Sequence, residues 1–192
     1  MRAVNTTPEQ FIRDTKNSGV EAAVNGPYFD KRDKNGKLVE GIAYLANNHN
    51  FGNNNPDHVR GYFTVSLDGN KIGVTRQLNG NFNDYWLVIG TYPLLVLNPQ
   101  VHSQARMPVY NASTRYRSAI GTKNGNVCFA VSENELTMEQ WAEMLHQAGY
   151  SGAINLDGGP VSQLAERIGG RVSVKGKGKS PARLLIFEYT TK

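Results

Sequence analysis

The residues best suited to chemistry lie where an apolar segment, residues 153–156, ends at an acid. Asp157 follows this segment directly, and Gly158 and Gly159 come next. Glycine tolerates positive φ and lets a ligand approach the backbone, so we expect the carboxylate to lie beside a turn with accessible amide groups. This arrangement suits a site for an oxygen-rich, anionic substrate. An Asp that only caps a tight strand-to-loop turn would explain the same local pattern equally well.

The two ends of the chain repeat one pattern. Residues 7–25 and 137–155 align without gaps, and in each copy a Thr is expected to cap a helix while a Gln completes a capping box. A glycine then marks the end of the helix, and a short strand ends at Asn25 or Asn155. We therefore predict two equivalent helix–turn–strand units whose strand ends lie close together and form one site. The identical pairs are Thr7/Thr137, Glu9/Glu139, Gln10/Gln140, Gly19/Gly149, Ala23/Ala153 and Asn25/Asn155.

Hydrophobic periodicity and turn signals predict a sheet-rich α+β domain with a mixed β-sheet. Helices are expected at 7–18 and 137–148, and the apolar face of the second makes it the clearest element. The remaining expectations are strands at 21–25, 86–90, 94–97, 153–156 and 184–189, hairpins at 62–76 and 117–132, and loops at 28–35, 47–57 and 100–115.

Size and charge limit the classes of function. The 192 residues fit one domain, covering 1–192, and the 39% hydrophobic content is typical of a folded protein. The net charge of +5 favours anionic ligands. Much of the positive charge lies in residues 171–183, where Lys and Gly alternate. A mobile, solvated loop explains that segment better than a nucleic-acid surface does, so nucleic acid is not the expected partner.

Other sequence features indicate which cofactors and compartments to expect. Cys128 is the single cysteine, which excludes a disulfide framework and a cysteine-based metal site. His49, His58 and His102 lack metal-ligand spacing, and phosphate-loop and dinucleotide fingerprints are missing, so neither a metal nor a cofactor is expected. No apolar stretch is long enough to span a membrane, and the N-terminus lacks a signal-peptide core. We therefore expect a cytoplasmic protein, or a secreted one if a leader was removed; the oligomeric state stays open.

Four blocks of the chain resemble the phosphodiester glycosidase family. Residues 23–29, Ala-Val-Asn-Gly-Pro-Tyr-Phe, resemble the family's Ala-(Ile/Val)-Asn-Gly-x-(Tyr/Phe)-Phe, and residues 117–121, Arg-Ser-Ala-Ile-Gly, resemble its Arg-(Thr/Ser)-Ala-(Ile/Leu)-Gly. Residues 136–159 resemble its Leu-Thr helix followed by Asn-Leu-Asp-Gly-Gly, and 180–185 resemble its closing strand. The blocks occur in order and span most of the chain. One departure is Val161, which replaces a serine of the family's Gly-Gly-Gly-Ser-Ser run.

The resemblance implies hydrolysis of a sugar-1-phosphodiester, or a related nucleotide–sugar linkage, at the anomeric carbon. Arg117 is then the expected phosphate ligand, since its planar fork can grip two oxygens. Asp157 is the expected catalytic residue, acting as nucleophile, as general base for water, or as a charge near the developing cation. A second catalytic acid is expected at Asp30 or, ranked after it, at Glu133.

The remaining candidates would bind substrate. The amides of Gly158 and Gly159 could add donors for the phosphate, and Tyr28 could stack on a sugar or simply pack. The two asparagines could bind sugar hydroxyls or only hold the turns. The further expected contacts are Asn25, Gly26, Ser118, Asn155 and Ser162. Two alternatives stay open: a non-catalytic protein that sequesters a phosphorylated sugar or nucleotide signal, and a basic nucleic-acid-binding module.

Overall fold

A computed structural model of the protein describes residues 6–14, 19–32, 38–41, 60–178 and 186–189; for 29–32, 38–41 and 186–189 it describes the backbone alone. Three helices lie in these ranges: α1 (Pro8–Arg13), α2 (Pro108–Asn111) and α3 (Met138–Gln147). The strands are β1 (Ala22–Asn25), β2 (Phe29–Arg32), β3 (Leu38–Gly41), β4 (Gly61–Ser66), β5 (Ile72–Thr75), β6 (Tyr85–Thr91), β7 (Leu94–Leu97), β8 (Gln100–Val101), β9 (Ser118–Lys123), β10 (Asn126–Val131), β11 (Gly152–Asn155), β12 (Leu164–Ile168), β13 (Arg171–Lys175) and β14 (Ile186–Tyr189).

The described strands form four sheets. Their orders are β13-β12-β1-β14, β10-β9-β11-β7-β8, β5-β4-β6 and the pair β2-β3. All pairings among these strands are antiparallel. The sheet-rich fold is thus confirmed, but the described strands do not form the expected mixed sheet. The reason is that β1 and β11, the strands that follow α1 and α3, lie in different sheets, and each is flanked by antiparallel neighbours.

Both predicted helix starts are capped as expected. The Thr7 hydroxyl accepts from the Gln10 backbone N–H at 3.1 Å, and the Gln10 side chain accepts from the Thr7 N–H at 3.1 Å. Thr137 and Gln140 make the same pair of bonds at 3.2 and 2.9 Å. Each capping box satisfies donors that the first helical turn leaves without partners. That the two helix–turn–strand units are equivalent throughout stays a prediction.

A central hydrophobic core lies between the β4–β6 sheet and the sheet that contains β11. Phe63, Ile89, Ile120 and Ile154 are fully buried there. Leu156 is also fully buried in this cluster, one residue before Asp157. Each such side chain contributes about 1.5–3 kcal/mol by leaving water. The packing of Leu156 therefore fixes the chain at the point where the candidate acid begins.

The helices α1 and α3 each pack an apolar face against a sheet. The predicted face of α3, which includes Met138, Trp141 and Leu145, packs on β7 and β11 residues such as Val96 and Ala153. In α1, Phe11 and Ile12 pack against residues of β1 and β12. Both strands that lead to the candidate site are thus covered on one side by a helix.

Several segments differ from their predicted structure: α1 ends at Arg13 within the helix expected at 7–18, and β2 occupies 29–32 of the loop expected at 28–35. Residues 100–115, expected as an exposed loop, contain β8, a 3₁₀ turn at Ser103–Arg106 and α2, because the fully buried Ala105 anchors them in the core around α3. Residues 171–178, expected as part of a mobile basic loop, begin with β13 and end at the buried Gly178, whose N–H donates to Ser162 O at 2.8 Å. The predicted loop at 47–57 lies outside the described residues.

The contact between β9 and β11 gives a test of the fold. A methyl group on Gly121 would overlap the carbonyl oxygen of Gly152 on the paired strand. Because neither backbone can move without breaking the sheet, Gly121→Ala should lower the free energy of unfolding by about 3 kcal/mol. Gly73→Ala in β5 is the control, since a methyl group there meets no atom within 4 Å. Urea unfolding should show a change within about 1 kcal/mol for the control, and equal effects of the two substitutions would contradict the β9–β11 packing.

Candidate active site

The segments that follow β1 and β11 are in direct contact, as predicted. The Asp157 N–H donates to Gly26 O at 3.0 Å, and Asn25 Nδ2 donates to Asp157 O at 2.8 Å. The neighbouring strand β9 joins them, because the Leu156 N–H donates to Ser118 O at 2.9 Å. Three of the blocks that carry the family resemblance therefore meet at one place.

The Asn25 side chain links these segments and has no capacity left for a ligand. It is fully buried, and Nδ2 donates to Gly26 O at 3.3 Å as well as to Asp157 O. Oδ1 accepts from Ser118 Oγ at 2.8 Å and from the Gln163 N–H at 3.2 Å. A carboxamide offers two donors and two acceptor positions, and here all four are filled. Of the two roles left open by the sequence, holding the turn geometry is the one these contacts fit.

The Asp157 carboxyl group is half-buried at the end of β11. Burial raises its pKa from 3.8 to about 6, while a hydrogen bond from the Gly158 N–H acts in the opposite direction. That bond, from Gly158 N to Asp157 Oδ1, measures 2.7 Å. A carboxyl group that titrates near neutral pH in a partly exposed position is suited to acid–base or nucleophilic work.

The two glycines after Asp157 are required by a close approach of the backbone. A methyl group on Gly158 would lie 2.8 Å from Tyr116 O, and Gly159 has a φ of +63°. Both amides predicted to bind phosphate already have partners: the Gly158 N–H donates to Asp157, and the Gly159 N–H donates to Tyr116 O at 2.8 Å. A bound phosphate must therefore find its main donors elsewhere.

Arg117 supplies such donors. Its side chain is held by two carbonyl groups: Nε donates to Leu136 O at 2.9 Å and Nη2 donates to Ser113 O at 3.1 Å. The residue is only 6% exposed, and burial lowers its pKa although the neighbouring Tyr28 acts in the opposite direction. A guanidinium group has five N–H donors, and the three that remain have no partner among the described residues. Arg117 is thus an oriented cation, with three donors that no described residue fills.

The charges of Asp157 and Arg117 act on Tyr28 in opposite directions. Burial and then the charge of Asp157 raise the pKa of Tyr28 well above its usual value, whereas Arg117 lowers it. The phenol therefore stays protonated at neutral pH. Its oxygen accepts from Asn155 Nδ2 at 2.6 Å, which orients the hydroxyl and leaves its hydrogen available to a further acceptor.

Two tyrosines that the sequence analysis did not select extend this group. The ring of Tyr28 stacks on Tyr92 with centroids 4.9 Å apart, and Tyr92 lies 5.9 Å from Tyr110 at an angle of 35°. Tyr110 belongs to α2, in the segment predicted as an exposed loop. A helix start with proline at its first position, Pro108, was the local signal for α2. The three tyrosines form a row of rings that begins at Tyr28, whose pKa both Asp157 and Arg117 influence.

Two further candidates have buried polar atoms without partners. Asn155 Oδ1 and Ser162 Oγ are both buried and have no hydrogen-bond partner among the described residues. Asn155 Nδ2, by contrast, donates to Leu156 O at 2.6 Å in addition to Tyr28. Such orphaned atoms are rare and can indicate a water or ligand group that completes the site.

Comparisons with known proteins identify the family of this chain. A model of the phosphodiester glycosidase family matches residues 18–184, which include Asn25, Arg117 and Asp157. The chain belongs to this family. A search of curated proteins by sequence finds no match.

Two solved structures share the fold. The catalytic domain of zebrafish N-acetylglucosamine-1-phosphodiester α-N-acetylglucosaminidase, auto-inhibited by its pro-peptide, is similar with a TM-score of 0.71 and 16% identity over 100% of this chain and 69% of that one. A hypothetical protein from Synechocystis is similar with a TM-score of 0.56 and 16% identity over 98% of this chain and 53% of that one. At these identities the likeness shows a common fold.

The two acids considered as partners of Asp157 in this member of the phosphodiester glycosidase family are placed differently. The backbone of Asp30 lies in β2 opposite Glu40, and its side chain is outside the description. Glu133 is exposed, and its Oε1 accepts from the Gly176 N–H at 3.4 Å. Both remain predictions. Within the described ranges, three or more His, Cys, Asp or Glu side chains nowhere cluster as metal ligands, and no helix is long and apolar enough to cross a membrane.

The raised pKa of Asp157 predicts a pH-dependent cost in stability. Because the folded-state pKa of about 6 exceeds the usual value of 3.8, the folded state holds this proton more tightly. The contribution of Asp157 to the free energy of unfolding therefore falls as pH rises from about 4 to 6, and the full cost persists above pH 6. Asp157→Asn should remove this cost and stabilise the protein by ~2 kcal/mol at pH 8.

Urea unfolding of the wild type and the Asp157→Asn variant at pH 4 to 8 measures this difference. We expect little difference between them near pH 4 and a growing advantage for the variant above it. A difference that stays constant over the whole range would show that burial does not disfavour the ionised carboxylate.

Proposed function

We propose that this protein hydrolyses the glycosidic bond of a sugar-1-phosphodiester, or of a related nucleotide–sugar, with Asp157 at the centre and Arg117 on the phosphate. Membership of the phosphodiester glycosidase family supports this class of activity. The observation that carries the assignment is that Tyr28 feels the charges of both Asp157, whose carboxyl group has a pKa of about 6, and the buried Arg117.

The proposed reaction separates charge, and each charge has a counterpart in the protein. The bond between the anomeric carbon and the phosphate oxygen breaks, and the phosphate leaves with the electron pair. The free N–H groups of Arg117 stabilise the negative charge on that phosphate. Ionised Asp157 stabilises the cationic sugar, bonds to it, or removes a proton from the attacking water. Water finally supplies the oxygen bonded to the anomeric carbon and releases one proton.

Tyr28 would act as a positioned hydrogen-bond donor in this scheme. Its hydroxyl is oriented by Asn155 and stays protonated because its pKa is raised. It can therefore donate to a sugar hydroxyl or to a phosphate oxygen. The rings of Tyr92 and Tyr110 continue from Tyr28 and offer a surface on which a sugar or an aromatic leaving group can pack.

A second candidate is a binding protein that sequesters a phosphorylated sugar or nucleotide without cleaving it. The observation in its favour is the change in the segment after Asp157. Val161 replaces a hydroxyl residue of the family pattern and is buried, and Ser162 Oγ is buried as well. Recovery of the ligand unchanged after heating the protein would favour this candidate over hydrolysis.

Loss of the Asp157 carboxylate should abolish turnover. Asp157→Asn keeps the size and the possible hydrogen bond from Gly158, so the fold should persist while the rate falls by about a thousandfold. Phosphorus NMR of a panel of sugar-1-phosphodiesters and nucleotide–sugars measures cleavage, and circular dichroism checks the fold. The matched control is Asp68→Asn in the exposed β4–β5 turn, which should leave turnover unchanged. Substantial turnover by Asp157→Asn would end the assignment.

The pH profile should report the ionised form of Asp157. All three proposed roles need the carboxylate, so kcat/KM should rise with pH through an apparent pKa near 6. Initial rates between pH 4.5 and 8 in buffers of constant ionic strength measure this limb. A rate that falls through pH 6 would instead mean that protonated Asp157 acts as an acid, contrary to the proposal.

A further inference from the structure

A second arginine, Arg115, lies near Arg117. Both arginines donate to the carbonyl oxygen of Leu136, and the charge of Arg115 acts on the pKa of Arg117. Arg115 is fixed by two backbone bonds with Leu136: its N–H donates to Leu136 O at 3.1 Å, and the Leu136 N–H donates to Arg115 O at 2.8 Å. Since Leu136 O also accepts from Arg117 Nε, one residue holds both arginines.

The Arg115 side chain extends over the turn that follows Asp157. Its Cδ would lie 4.0 Å from a methyl group added to Gly159. The two guanidinium groups influence each other: burial is the larger cause that lowers the pKa of Arg117, and the charge of Arg115 adds to it. Arg117 is buried and Arg115 is exposed, so the pair runs from the inside of the site to its rim.

Neither arginine pairs with a carboxylate among the described residues. Two neighbouring cations without counter-ions repel each other, and burying one of them adds a desolvation cost. A ligand with a single negative charge would compensate only part of this repulsion and desolvation cost. An anion with two or more charges would compensate both groups. The Cα atoms of residues i and i+2 are at most about 7 Å apart, so two arginine side chains at these positions can both reach adjacent phosphates.

We propose that Arg115 recognises a second phosphate, so that the preferred substrate carries a diphosphate, rather than a single phosphodiester, on the anomeric carbon. Arg117 binds the inner phosphate next to the sugar, and Arg115 binds the outer one. Hydrolysis then breaks the bond between the anomeric carbon and the inner phosphate oxygen, and water yields the free sugar, a diphosphate product and one proton. The chemistry of this step rests on the proposed function, whereas diphosphate binding does not.

The first experiment measures binding alone. Isothermal titration calorimetry with inorganic pyrophosphate and inorganic phosphate should show at least about tenfold tighter binding of pyrophosphate by the wild type. Arg115→Gln should weaken pyrophosphate binding by about tenfold, the size expected for one charge-assisted contact, and phosphate binding by less than about threefold. Arg171→Gln is the control: it makes the same charge change at an exposed position in the β12–β13 hairpin and should weaken neither. Equal weakening of both anions by Arg115→Gln, or no weakening, would overturn the proposal.

The second experiment compares kcat/KM for a nucleoside diphosphate sugar and for the methyl ester of the same sugar-1-phosphate. The wild type should prefer the diphosphate, and Arg115→Gln should reduce that preference by about tenfold. If neither compound is cleaved but the pyrophosphate selectivity depends on Arg115, the proposed hydrolysis fails and diphosphate recognition stands. If the methyl ester is cleaved as well as the diphosphate and Arg115→Gln leaves the ratio unchanged, the hydrolase assignment stands and this inference fails.

Discussion

The geometry of the candidate site depends on one buried carboxamide. Asn25 lies at the end of β1, and its four hydrogen bonds reach Gly26, the turn at Asp157, Ser118 at the start of β9, and Gln163 before β12. Gln163 extends this network, because its own side chain joins the N-terminus of α1 to Gly178. Removing one partner would leave buried polar groups unsatisfied, at about 1–3 kcal/mol each. The segments of the candidate site are therefore held together by one buried polar side chain in addition to the backbone bonds of Leu156 and Asp157.

This arrangement places opposite charges where water is largely excluded. Burial shifts the pKa of Asp157 upward and that of Arg117 downward, so each group is held away from its preferred solvation. A transition state with a cationic sugar and an anionic phosphate would give each of these two groups an opposite charge in place of the lost water. Charges fixed in advance stabilise such a state strongly because they need not reorganise during the reaction. The burial of these two groups lowers the stability of the fold, and the same burial would stabilise the transition state.

The sequence predicted the features that depend on local signals. Residues close in sequence determine the capping boxes at Thr7 and Thr137, the apolar face of α3 and the hairpin turns. The repeat predicted the contact between the two strand ends. The partition of strands among sheets and the packing of Tyr110 in α2 against the α3 core depend on distant contacts, so local pattern did not reveal them. For the same reason the sequence left the role of Asn25 open and missed Tyr92 and Tyr110, whose positions only the assembled sheets define.

The central claim is that a sugar phosphate binds with its phosphate on Arg117 and its anomeric carbon facing Asp157. The most direct test is a crystal structure of the Asp157→Asn variant soaked with an intact nucleoside diphosphate sugar. The account predicts that phosphate oxygens lie about 2.7–2.9 Å from the Arg117 guanidinium nitrogens, with the anomeric carbon next to residue 157. A ligand bound elsewhere, or with its phosphate turned away from Arg117, would contradict it.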